Sequence, residues 1–130
     1  MNYALLVLAP PCSSQGNSSA LKFAQAVLAR GHQLSRVFFY GDGVYTGTRL
    51  GVAPQDEASI TDAWAELASE HKTELFVCVG ASLRRDIVDD KEASRYRLPA
   101  SSLHPAFEIT GLGQLVDAGL ACDRLLTFTA

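Results

Sequence analysis

Glu74-Leu75-Phe76-Val77-Cys78-Val79-Gly80 is the stretch on which the fold turns. After Glu74 every residue up to Val79 is apolar, with no alternation of polar and apolar side chains. A strand with one wet face alternates; a strand apolar on both faces belongs inside a parallel sheet covered by helices on each side. The run is short for a helix and is bounded by a glycine, so it reads as a strand over 74–79. Upstream, Ile60, Ala63, Trp64, Leu67 and Ala68 recur at i, i+3, i+4, i+7 and i+8, the spacing of one helix face. Downstream, Gly80 is expected to turn the chain and Ala81-Ser82-Leu83-Arg84-Arg85 to open a short helix.

The same alternation extends in both directions. Residues 3–9 and 34–40 read as strands. Between them Ala20, Phe23, Ala24, Val27 and Leu28 mark a helix, with Asn17 or Ser18 as its cap and Gly31 at its end. Gly41-Asp42-Gly43 reads as a turn, and Val44–Pro54 as a loop punctuated by Gly47, Gly51 and Pro54. Residues 86–105 read as irregular, with a helical turn around Asp90–Tyr96. Phe107-Glu108-Ile109 reads as a fourth strand, Leu112, Leu115, Val116 and Leu120 as a last helix, and Arg124–Phe128 as a closing strand. Strands alternating with helices give an α/β fold: three layers, α/β/α, with a mostly parallel, roughly five-stranded sheet in one domain over residues 1–130.

Composition narrows the function. The chain is 48% hydrophobic and 19% charged, an ordinary globular balance. Its 11 Lys and Arg against 14 Asp and Glu leave a formal charge of −3. An acidic chain is poorly matched to the phosphates of nucleic acid or to an anionic membrane surface, so neither is expected as a direct partner. The apolar N-terminal run lacks the basic residues of a signal peptide, and no apolar run approaches the roughly 20 residues that span a bilayer. Cys12, Cys78 and Cys122 are odd in number and far apart, which points to reduced thiols and a cytoplasmic setting rather than a disulfide framework. His32, His71 and His104 lack zinc-ligand spacing and read as surface or capping residues; no metal or organic cofactor is expected.

In parallel α/β sheets, function gathers beyond the carboxyl ends of the strands. Here those are the loops after residues 9, 40 and 79, with Cys78 at one end and Cys12 just past another. Two readings of Cys78 stand side by side. Among Phe76, Val77 and Val79 it is a small core hydrophobe. At a strand end, ahead of a helix start, it is a thiol whose anion the backbone N–H groups of Gly80 and Ala81 and the side chains of Arg84 and Arg85 would stabilise. The two arginines read equally well as a solvated helix face. A competing function rests on Ser13-Ser14-Gln15-Gly16-Asn17-Ser18, a hydroxyl-rich loop where flavodoxins hold the flavin phosphate, although Gln15 breaks that pattern.

Four segments carry a resemblance that spans nearly the whole chain. They are Ser18-Ser19-Ala20-Leu21-Lys22-Phe23-Ala24-Gln25-Ala26 with Gly31-His32, Val37-Phe38-Phe39-Tyr40 through Gly43-Val44-Tyr45, Val77-Cys78-Val79 through Leu83-Arg84-Arg85, and Gly111-Leu112-Gly113 through Cys122-Asp123-Arg124. In this order they resemble the DsrE-like family of sulfur-relay proteins. The resemblance implies that Cys78 accepts sulfane sulfur as a persulfide. It implies a TusA-like donor, a TusE-like acceptor, and a heterohexamer with TusB-like and TusC-like subunits, serving 2-thiolation of the tRNA wobble uridine. A DsrE-type role in sulfur oxidation, or a scaffold subunit without catalysis, is the alternative within the family. Cys12 is read as an incidental loop thiol, with a second carrier role left open, and Cys122 as core packing. Phe38, Phe39, Tyr40, Tyr45 and Trp64 are candidates for interface anchors or for core.

Overall fold

The computed structural model describes all 130 residues. Its strands are β1 (Asn2–Val7), β2 (Gln33–Phe39), β3 (Glu74–Cys78), β4 (Phe107–Thr110) and β5 (Arg124–Phe128). Its helices are α1 (Gly16–Ala29), α2 (Ile60–His71), α3 (Val79–Leu83), α4 (Asp90–Arg95) and α5 (Gly113–Ala121), with a 3-10 helix over Gly41–Gly47. The strands form one five-stranded sheet in the order β4-β3-β2-β1-β5, and every neighbouring pair is parallel. The expected α/β architecture is the observed one.

Side-chain parity divides the sheet into two faces. Tyr3 of β1 meets Phe23 of α1 edge-on at 5.7 Å, and Phe39 of β2 meets Trp64 of α2 edge-on at 5.5 Å. Leu5, Val7, Val37 and Val77 are buried on this same face, so α1 and α2 cover it. The opposite face carries Ala4, Phe38, Phe76 and Cys78, all buried. There Arg36 lies over the Phe76 ring at 4.6 Å and donates from Nη1 to the Gln114 carbonyl of α5 at 2.8 Å, which places α5 on that face. Phe38, Phe39 and Trp64 are therefore core; of the aromatic anchor candidates only Tyr45 is largely exposed.

Three local readings are corrected. Asn17 does not cap α1. Gln15 stands at the cap position without a side-chain bond, and the fully buried Asn17 lies inside the helix. Residues 41–47 form a helix rather than a turn and open loop. Gly43 permits this by lying on the end of β1, where an added Cβ would stand 2.2 Å from the Val7 carbonyl oxygen. No turn separates β3 from α3: the strand runs straight into the helix, and Gly80 is a helical residue.

Candidate functional site

Cys78 is the last residue of β3 and the N-cap of α3, with extended backbone (φ −66°, ψ 130°). Its side chain is only 5% exposed and belongs to the main hydrophobic cluster. The thiol is packed as a core residue, and it also stands at a strand's carboxyl end where the chain turns helical. The first N–H groups of a helix have no intrahelical acceptor, and in α3 these include those of Gly80 and Ala81. Ala81 is itself buried. A helix this short has a weak macrodipole, so local N–H groups rather than the helix as a whole would act on a sulfur anion.

The two arginines, indistinguishable in the sequence, separate in the structure. Arg85 is committed: Nε donates to Asp42 Oδ1 at 2.9 Å and Nη1 to the Ala81 carbonyl at 3.1 Å. It clamps α3 to the 3-10 helix. Arg84 is exposed and forms no ion pair or side-chain hydrogen bond. Its guanidinium folds back over Gly80, with Nη1 3.4 Å from where a Cβ on that glycine would stand. A free cation thus hangs over the first turn after Cys78. It also borders a hollow of about 680 Å³ walled by Leu50, Leu83, Tyr96 and Leu98.

Two hydroxyls close to Cys78 in sequence or register are buried without a hydrogen-bond partner, Ser82 Oγ and Thr110 Oγ1. Thr110 is the register partner of Cys78 across the β3–β4 ladder. Sequence reasoning missed Thr110, because a 28-residue connection separates the two strands and nothing local links them.

The other thiols lie apart. Cys12 is exposed, on the rim of a second hollow with Tyr45, Thr48 and Ile60, which does not include Cys78. Cys122 is half-buried just ahead of the edge strand β5, with Sγ 3.8 Å from the Gly119 carbonyl. The expectation of core packing fails there because Cys122 lies at the end of α5, in the link to an edge strand, where few elements pack around it. The histidines stand far from one another: His32 beside the N-terminal amine, His71 beside Glu70, and His104 against Phe107.

The hydroxyl-rich loop after β1 is held by Asn17. Its Nδ2 donates to the Ala9 carbonyl at 3.0 Å and to Thr46 Oγ1 at 2.8 Å, and its Oδ1 accepts from Trp64 Nε1 at 3.0 Å. Gly16 packs so closely on the chain's far end that an added Cβ would stand 2.0 Å from the Thr129 carbonyl oxygen. Asn17 is thus turned into the core and is not offered to a ligand in this loop.

The model of the DsrE/DsrF-like family matches residues 1–128. This chain belongs to the DsrE/DsrF-like family. Among curated relatives, a protein of Allochromatium vinosum provisionally named sulfurtransferase DsrE is 48% identical over 128 residues, covering 98% of each chain. Sulfurtransferase TusD of Salmonella dublin is 45% identical over 128 residues, covering 98% of this chain and 100% of its own. The likeness to these family members runs nearly end to end, and the chain is a sulfurtransferase. Among solved structures, the ychN protein from E. coli superposes with a TM-score of 0.74 at 24% identity, covering 98% of this chain and 100% of its own, and shares the fold.

Proposed function

We propose that this family member carries sulfane sulfur as a persulfide on Cys78 and passes it to an acceptor protein. The observation that carries the reading is the position of Cys78, a thiol at the carboxyl end of a central parallel strand and at the first residue before a helix. The Cys78 thiolate attacks the outer sulfur of a donor persulfide. Its lone pair forms the new S–S bond, the donor's S–S bond breaks, and the donor leaves as a thiolate. In the second transfer an acceptor thiolate attacks the outer sulfur on Cys78, and Cys78 becomes the leaving group. The N–H groups of Gly80 and Ala81 and the unpaired cation of Arg84 face the anionic stages. Arg85 keeps α3 in place.

The donor is TusA-like, the acceptor TusE-like, and the working form a hetero-oligomer with TusB-like and TusC-like subunits in the cytoplasm, serving thiolation of the tRNA wobble uridine. Assembly has support from the exposed Leu112, Val116, Leu120 and Leu125 of the α5–β5 edge, an apolar surface of the kind that interfaces cover. No helix is long and apolar enough to cross a membrane. Sulfur oxidation with the same Cys78 chemistry is the second reading, supported by the 48% identity to the Allochromatium DsrE.

Intact mass after incubation with a persulfide donor tests the carrier role. A gain of about one sulfur atom that disappears in Cys78→Ser is the expected result. Undiminished loading of Cys78→Ser would sink it. Loss of wobble 2-thiouridine on deleting the gene separates the two pathways.

A further inference from the structure

We infer that the Thr110 hydroxyl donates a hydrogen bond to the Cys78 sulfur during transfer, and this rests on the reading of Cys78 as the carrier. Cys78 and Thr110 are register partners in adjacent parallel strands. Register partners project to the same face of a sheet, so the Thr110 side chain stands beside the thiol. That face is the one Arg36 and α5 cover, and Thr110 is the last residue of β4 before the short link to α5.

The Thr110 hydroxyl has nothing else to do. Several other buried or half-buried hydroxyls hold the structure together: Thr73 Oγ1 donates to the Leu34 carbonyl at 2.8 Å, Thr61 Oγ1 to the Thr46 carbonyl at 2.7 Å, and Ser102 Oγ to the Asp86 carbonyl at 2.6 Å. Thr110 Oγ1 is shut off from solvent and has no partner. A buried donor without an acceptor is costly, and a functional site is one place where such a cost is tolerated. Ser14 Oγ and Ser82 Oγ are orphaned as well, but Ser14 lies in the loop after β1 and Ser82 is the fourth residue of α3. Ser82 has no register partner in β4, whereas Thr110 is paired directly with Cys78.

A neutral thiol is a weak acceptor, whereas a sulfur anion is a strong one. The O–H of Thr110 therefore acts when charge sits on Cys78 Sγ: on the attacking thiolate in the first transfer, and on the departing thiolate in the second. No proton leaves Thr110 in either step; its O–H only turns toward the charged sulfur.

The test uses the full chain with Cys12 and Cys122 replaced by serine, so that Cys78 is the sole thiol. Loading from glutathione persulfide is followed by intact mass in Thr110, Thr110→Ser, Thr110→Ala and Thr110→Val forms. A charged hydrogen bond of this kind is worth about tenfold in rate. Thr110→Val and Thr110→Ala should load about tenfold more slowly, and Thr110→Ser should recover most of the loss. The serine and alanine forms differ only by the hydroxyl, so equal loading by the two overturns the inference even if the valine form folds poorly. No loading of the sole-thiol protein, with loading retained in the protein that keeps Cys12 and Cys122, is a different failure, that of the carrier assignment itself.

Discussion

Two buried polar sites lie near the carboxyl ends of the central strands, and they are finished differently. On the α1–α2 face, Asn17 ties together the Ala9 carbonyl, Thr46 and Trp64, and each of its polar atoms is paired. On the α5 face, Cys78 and Thr110 stand side by side with no hydrogen bond between them and an orphan hydroxyl. The first arrangement spends its polar groups on holding loops in place. The second leaves them free, which suits a site where a charge arrives later. The difference teaches where to look for chemistry in such a fold: at the buried polar group left unpaired, not at the one best satisfied.

Substitutions can break this contrast from either side. The largest effect is expected from Cys78→Ser, which should abolish sulfur loading at a cost of about 1 kcal/mol in urea unfolding, from a hydroxyl set into the hydrophobic cluster. Asn17→Ala should do the reverse. It leaves Trp64 Nε1 and the Ala9 carbonyl buried without partners and should cost about 2–3 kcal/mol in urea unfolding, with loading per folded molecule retained. Equal loss of loading and stability in Asn17→Ala would mean that the two sites are not separable.

The arginines sharpen the contrast on the surface. Arg84→Ala should slow loading from an anionic donor several-fold, with an effect that shrinks as salt is raised, because the Arg84 cation is exposed and unpaired. Arg85→Ala should leave donor salt dependence intact and lower stability by about 0.5 kcal/mol, the scale of a partly exposed ion pair. Cys12→Ser should change neither loading nor stability; a fall in loading would assign that exposed thiol a carrier role.

The order and type of the elements were legible because periodicity reports burial directly. Leu75 to Cys78 is apolar on both faces and Ile60 to Ala68 repeats with the helical period; both became the elements they resemble, while Val79, expected to end the strand, is the first residue of α3. What misled was chemistry that serves two purposes. Asn17 is a good cap by type, but its amide is drawn inward by Trp64 and Thr46, residues far along the chain. Gly80 is a turn residue by type, but α3 begins before it. Cys122 is apolar by type, but caps the end of α5 ahead of the edge strand.

The sequence by itself determined the parallel sheet, the reactive candidate Cys78 at a strand end, and the family, since these rest on local pattern and on motifs in fixed order. Tertiary structure decided which groups surround that thiol. It turned Arg85 toward Asp42 and left Arg84 free, and it brought Thr110 beside Cys78 across a connection that no local signal bridges. The physical reason is that hydrophobic period is written residue by residue, whereas the pairing or orphaning of a buried polar atom depends on every element that packs around it.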